Sequence, residues 1–244
     1  MDWHKRFIQQ AAWTSEIRLY LFKRAGMSAA RRVLEVGCGT GAILSGLATH
    51  AAMHGLDKDL ARSSEARRHA PKANLACADA LALPYASGIF DITFCHFLLL
   101  WVRDPLLALR EMKRVTRPGG SILALAEPDY GARVDKPDEL AVFGRWQTES
   151  LRRQGADPFI GIRLPELFHQ AGIRPVETGR LQMDGKPLPG PVDRELEWAV
   201  MEADLLGLVP VAEIQRLKRL DEAAWGRGER VLQVPTYWML GSST

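Results

Sequence analysis

Three glycines alternate with other residues at Gly37-Cys38-Gly39-Thr40-Gly41, directly after the apolar run Val33-Leu34-Glu35-Val36. Glycines at this spacing let a ligand approach the backbone, and a helix opening at Ala42 would add unpaired N–H groups. Asp57 follows Gly37 by twenty residues, the interval at which an acidic side chain holds a ribose hydroxyl pair. Glu35 lies two residues before the first glycine. An anion there repels a pyrophosphate and suits a ligand with a cationic end. Asp79-Ala80 joins a carboxylate to a backbone N–H, a pair that can read the amino group and ring nitrogen of adenine. The same Asp79 could also serve as a turn or helix cap. Gly37, Gly39 and Ala42 satisfy the looser dinucleotide spacing too. The acidic Glu35 and the adenine reader nevertheless describe S-adenosylmethionine better than a dinucleotide.

These residues must be brought together by regular elements. Apolar periodicity predicts a helix over 2–25. Short strands are predicted at 32–36, 52–57, 74–78, 90–95 and 121–126. Helices over 42–50, 59–69 and from Asp104-Pro105 to before Pro118 separate them. Such alternation implies crossover units and a doubly wound, mostly parallel α/β sheet, with ligands beyond the carboxyl ends of its strands. Farther along, helices are predicted at 136–154, 164–171, 193–207 and 210–225, with strands at 173–183 and 231–240. Gly185, Pro187, Pro189, Gly190 and Pro191 form a predicted loop. A single domain over 1–244 is the simplest organisation, with its cofactor-binding core at 30–130 and acceptor-side segments at 131–230.

Val33-Leu34-Glu35-Val36-Gly37-Cys38-Gly39-Thr40-Gly41 resembles the first motif of class I S-adenosylmethionine-dependent methyltransferases. The resemblance continues through Leu83-Pro84-Tyr85, Gly88-x-Phe90-Asp91, Leu109-Arg110-Glu111 and Arg114-Val115-x-Arg117-Pro118-Gly119-Gly120. It is strong over about 30–130, and nearest to the small-molecule branch with the ubiquinone and menaquinone enzymes. It implies a Rossmann-like sheet of seven strands, the last antiparallel, with a helical insertion before that strand. It further implies that Gly37, Cys38, Gly39 and Gly41 face the methionine part of the cofactor. Asp57 would bind the ribose, with Lys58 beside the adenine and Asp79 and Ala80 at its edge. His96 would lie near the sulfonium and the acceptor. An N-terminal helix (1–26) would form a lid from which Arg18 or Tyr20 could reach the methionine carboxylate.

Methyl transfer from a sulfonium is an in-line displacement, so the protein must chiefly align the reactants and exclude water. A base is needed only when the acceptor must lose a proton. His96 is the candidate catalytic base, since an imidazole is available in neutral form at physiological pH. Glu127 and Asp129 could orient an acceptor, or could cap the following turn. A metal held by His96, Glu127 and Asp129 has no supporting ligand spacing, and no metal is expected. The aromatic residues Tyr130, Phe143, Trp146, Trp198 and Trp225 fit either a flat hydrophobic acceptor or an ordinary core. The leading expectation is methyl transfer to a small organic acceptor, slightly favouring oxygen. The alternatives keep the fold but are a non-methylating enzyme or a non-enzymatic binding protein.

Other classes are disfavoured. With 47% hydrophobic and 25% charged residues, the 244-residue chain has a globular rather than a disordered composition. No apolar run reaches the ~20 residues that span a bilayer, and the start carries no signal-peptide core. The reading is a soluble, cytoplasmic protein without a membrane partner. Basic residues exceed acidic ones by only three, and their doublets are scattered, unlike the focused charge of a nucleic-acid binder. Phe94-Cys95-His96-Phe97 also differs from the Asn/Asp-Pro-Pro-aromatic stretch of base-methylating enzymes. Cys38, Cys77 and Cys95 form no CxxC pair, which suggests reduced thiols.

Overall fold

The computed structural model describes residues 2–181 and 190–244. Strand β1 (Arg32–Val36) is buried at every position but its first. A strand covered on both faces belongs at the centre of a parallel sheet. It pairs in parallel with β2 (Ala52–Asp57) and β4 (Phe90–Cys95). β3 (Asn74–Cys77) extends the sheet beyond β2, and β5 (Thr116–Pro128) extends it beyond β4. Two later strands complete it. β9 (Thr236–Ser242) lies antiparallel between β5 and β7 (Arg174–Arg180). The order is therefore β3-β2-β1-β4-β5-β9-β7, a seven-stranded sheet whose last strand in sequence is antiparallel. The register sets Val36 level with Leu56 and Cys95. Gly37, Asp57 and His96 therefore emerge side by side at one rim.

Helix α3 (Leu60–His69) starts on Asp59, whose Oδ1 accepts from the Ala61 and Arg62 amides. Helix α4 (Pro105–Val115) starts as its sequence predicts, with Asp104 Oδ1 accepting from Leu107 N at 2.9 Å and Pro105 in the first turn. The two sheet faces have separate cores. Leu34, Val36, Phe90, Leu109 and Met112 lie in one, and Val33, Phe94, Leu123 and Phe22 in the other.

Several elements differ from their sequence expectation. The helix over 2–25 is two helices, α1 (Trp3–Trp13) and α2 (Ser15–Arg24), broken at Thr14. No α-helix spans 42–50; only a 3₁₀ turn at Leu44–Gly46 forms, because Gly46 breaks a segment already short of residues. The helix expected at 136–154 begins with a 3₁₀ turn and becomes α5 only at Val142–Arg153. The helix expected at 164–171 starts a turn earlier, as α6 (Ile160–Gln170), after Asp157 Oδ1 takes the Phe159 amide at 3.0 Å. The predicted final strand at 231–240 splits at Pro235, which has no N–H to donate. Its first part, β8 (Val231–Gln233), pairs instead with β6 (Val134–Lys136). Met183 of the predicted 173–183 strand, and Gly185, Pro187 and Pro189 of the predicted loop, lie outside the described residues.

Helices α7 (Pro191–Leu205) and α8 (Val211–Arg227) pack with α5 around Phe143, Trp198, Leu205, Ile214 and Leu217. Phe143 and Trp198 meet edge to face at 5.1 Å, so these aromatics form a core of their own. A buried ionic chain ties this unit together. Asp135 accepts from Arg133 (2.7 Å) and Arg230 (2.7 Å), Arg230 continues to Asp221 (2.5 Å), and Asp221 accepts from Trp198 Nε1 at 2.8 Å. Both guanidiniums are almost wholly enclosed. Removing one partner of a buried pair strands the other charge. Asp135→Ala is therefore expected to lose about 3–5 kcal/mol of stability in urea unfolding.

Candidate active site

The glycine loop is wired inward. Gly37 N and Cys38 N both donate to Leu56 O, at 2.8 and 2.9 Å. Gly39 N donates to Asp57 Oδ2 at 2.9 Å, and Gly41 N to Cys38 O at 2.8 Å. Without a following helix and with these donors used, the loop is not the N–H cradle that its spacing suggested. It does not suit a phosphate. Its glycines serve instead in close approach. Gly37 has φ +75°, and a Cβ there would meet the Leu98 side chain at 2.6 Å. Gly39 has φ +52°, and a Cβ there would meet Phe7 of α1 at 2.9 Å. Neither position accommodates a side chain without displacing its neighbour.

Glu35 lies beside this loop, 3% exposed. One of its carboxylate oxygens has no hydrogen-bond partner among the described residues. Burial raises its pKa well above the ordinary carboxylate value; the Arg18 charge opposes that shift and Asp57 adds to it. A buried polar atom without a partner is costly. This one is an acceptor, so a cationic donor is the group that would satisfy it. Asp57 is also buried, and its Oδ1 takes the Asp59 amide at 2.9 Å. Lys58 is exposed at the rim. Ala80 is buried, while Asp79 is exposed and accepts from Leu81 N through Oδ1 at 2.9 Å. Asp79 thus serves as a turn cap, with Oδ2 remaining for a ligand. Cys38 is buried, and burial pushes its thiol pKa up.

From the other side, α1 and α2 close over His96. Thr14, fully buried at the helix break, shares a 2.9 Å hydrogen bond with His96 Nε2. Its hydroxyl also lies 3.2 Å from Ala11 O and accepts from Arg18 Nη1 at 2.9 Å. With the single Thr14 proton directed to Ala11 O, the His96 ring proton sits on Nε2. Arg18 Nη1 donates to Ala11 O as well, at 2.6 Å. Burial, and then the Arg18 charge, push the His96 pKa down to about 3. Of the two residues considered for a methionine carboxylate, only Arg18 reaches this interior. Tyr20 is exposed and donates to Glu177 Oε1 at 2.7 Å.

The loop after β4 is fixed by Glu127, not open to an acceptor. Glu127 is fully buried and accepts from the amides of Leu98 (3.1 Å), Leu99 (3.0 Å) and Leu100 (3.3 Å). Burial lifts its pKa to about 7 against these hydrogen bonds. Phe97 adopts φ +49°, a costly conformation for a residue with a side chain, and its N–H is anchored on Ala126 O at 2.9 Å. Asp129 accepts from Gly131 N at 3.0 Å and caps the next turn. The Glu127–Asp129 pair therefore holds the backbone rather than an acceptor. With His96 it forms no metal-compatible group among the described residues.

Residues 34–124 match the family described as a methyltransferase domain. A malonyl-[acyl-carrier protein] O-methyltransferase from Halorhodospira halophila is 39% identical over 99 residues, covering 38% of this chain and 34% of that protein. This chain thus spans about a third of that relative. A demethylmenaquinone methyltransferase from Staphylococcus haemolyticus is 32% identical over 191 residues, covering 70% of this chain and 78% of the relative. The chain belongs to the class I S-adenosylmethionine-dependent methyltransferases. Among solved structures, a geranyl diphosphate C-methyltransferase from Streptomyces coelicolor, in complex with S-adenosyl-L-homocysteine, shares the fold with a TM-score of 0.60 at 13% identity. That match covers 94% of this chain and 79% of that one. S-adenosylmethionine is the cofactor of this methyltransferase by its family, and the unpartnered oxygen of Glu35 fits the ammonium of its methionine end.

Sequence reading of the methyltransferase missed Thr14, Phe7 and Leu98. Only Thr14 carried a signal: a polar β-branched residue inside an otherwise amphipathic helix. Glu35→Gln removes the strained anion. Because the native pKa is raised, ionisation costs stability progressively as pH rises above the ordinary value of 4.5. The variant should melt higher than the parent above that pH, yet bind S-adenosylhomocysteine about 1–3 kcal/mol more weakly by calorimetry. The His96 ring should show no titration in nitrogen NMR between pH 8 and 5; a midpoint near 6.5 would show a solvated ring.

Proposed function

We propose that this chain transfers the methyl group of S-adenosylmethionine to a small organic acceptor, with oxygen as the preferred atom. The observation that carries the reading is the buried, unpartnered Glu35 carboxylate with Arg18 close enough to act on it. A zwitterionic methionine end complements that pair, its ammonium on Glu35 and its carboxylate on Arg18. Asp57 binds the ribose, and Lys58, Asp79 and Ala80 border the adenine. Gly37, Cys38, Gly39 and Gly41 form the wall beside the methionine part. Helices α1 and α2 act as the lid. Phe7 of α1 lies against Gly39, so the lid must lift for the cofactor to enter and then excludes water.

The cofactor supplies an activated methyl on its sulfonium. His96 faces that position and takes the acceptor proton. A pKa of about 3 makes the ring a weak base in the ligand-free protein. Arg18 is part of the cause, so pairing its guanidinium with a carboxylate removes that part of the depression, while the sulfonium charge opposes the gain. The preference for oxygen draws support from relatives named as O-methyltransferases. A small acceptor rather than a nucleic acid agrees with the Phe94–Phe97 sequence and the scattered charge. The three cysteines are unpaired, which agrees with a cytoplasmic location. No described helix is long and apolar enough to cross a membrane.

Parallel calorimetry with S-adenosylmethionine, S-adenosylhomocysteine and NAD should give binding of the first two alone. Preference for NAD would overturn the assignment. Asp57→Ala should cost about 1–3 kcal/mol of cofactor affinity. With labelled cofactor and an acceptor found by screening, His96→Ala should lower turnover at least tenfold while leaving cofactor affinity nearly unchanged. Turnover independent of His96 across pH would remove the base.

A further inference from the structure

A second cluster of chemically capable side chains lies outside the cofactor site, where α1 meets α3. His4 occupies the first turn of α1, and Glu65 and His69 lie one helical turn apart on α3. One ligand atom from each lies within 4.8 Å of the others. His69 Nε2 and Glu65 Oε1 are 3.7 Å apart, close to the ~3.4 Å edge of a tetrahedron with bonds of about 2.1 Å. The imidazoles of His4 and His69 stack with centroids 3.4 Å apart and planes 5° from parallel.

A further contact distinguishes this cluster from three neighbouring surface residues. His4 Nδ1 is bonded at 2.8 Å to Thr40 Oγ1, and Thr40 is fully buried in the glycine loop. A metal-ligating histidine ordinarily has its other ring nitrogen held in this way, which fixes its tautomer and orientation. With Nδ1 engaged, Nε2 of His4 is the nitrogen left for an ion. Two imidazoles and one carboxylate are a donor set for zinc, with a fourth position left for water.

We propose that His4, Glu65 and His69 bind a divalent transition-metal ion, zinc by their donor chemistry, and that this ion staples α1 to α3. Coordination requires the stacked rings to tilt until their lone pairs converge. His69 is exposed and turns without disturbing the core. The staple sits beside the contact of Phe7 with Gly39 and opposite the polar anchor of α1 on α7, where Gln9 Nε2 donates to Asp193 O at 3.1 Å. Metal binding thereby fixes the second side of a helix already tethered on its first.

Zinc titration of the full chain by calorimetry, with cobalt as a visible-absorption probe, tests the site without any acceptor or cofactor. One equivalent should bind, cobalt should give the intense bands of a tetrahedral ion, and His69→Ala and Glu65→Gln should each weaken binding at least tenfold. Both substitutions lie on a partly exposed helix face, so circular dichroism should show an unchanged fold. Zinc should also slow amide exchange across 3–13 in the parent but not in His69→Ala. Equal zinc affinity in parent and variants, or no stoichiometric binding, overturns the site. Stoichiometric binding with unchanged exchange in α1 overturns the staple.

Discussion

A carboxylate deprived of both water and a full set of partners organises this protein's interior. Glu35 stands at the end of the central strand with one oxygen unpaired, and an anion there is expensive in a low-dielectric setting. Among the described residues no direct ion pair neutralises it. Arg18 lowers its pKa from nearby while remaining bonded to Ala11 and Thr14. A guanidinium and a carboxyl group whose ionisation burial opposes are thus held apart in a closed space. Under the proposed function, a ligand carrying one charge of each sign complements both groups.

The rest of the rim follows from holding this arrangement rigid. Parallel register brings Gly37, Asp57 and His96 to one level. Asp57 clamps the glycine loop through Gly39, and Glu127 clamps the loop after β4 through three consecutive leucine amides. Each carboxylate fixes backbone at the carboxyl rim of the sheet. Preorganised donors and charges cost little reorganisation when a reaction occurs. The helical cover is built separately, around its own aromatic core and the Arg133–Asp135–Arg230–Asp221 chain. It meets α1 through Gln9 Nε2, which donates to Asp193 O.

His96 is tied to the N-terminal helices. The same Thr14 that ends α1 holds the ring, and the same Arg18 that faces Glu35 depresses its basicity. Thr14 thus links His96 and Arg18 through two hydrogen bonds. The N-terminal helices are consequently part of the electrostatic environment as well as a cover.

The sequence by itself determined the parallel sheet, the glycine loop, and the positions of Glu35, Asp57 and Asp79 at strand ends. Those features rest on local rules: strand–helix alternation, glycine at tight approaches and fixed motif spacing. It also supplied the aromatic residues of the cover, but not their role as a core, because period alone does not say what a helix face meets. Tertiary contacts decided that the glycine loop spends its amides internally, that Glu127 serves the backbone, and that Thr14, Phe7 and Leu98 pack at the rim. Thr14 and His96 are 82 residues apart in the chain yet 2.9 Å apart in space. No local pattern encodes a contact whose partners belong to different elements. The packing of α1 against the sheet rim creates it, and with it the low basicity of His96.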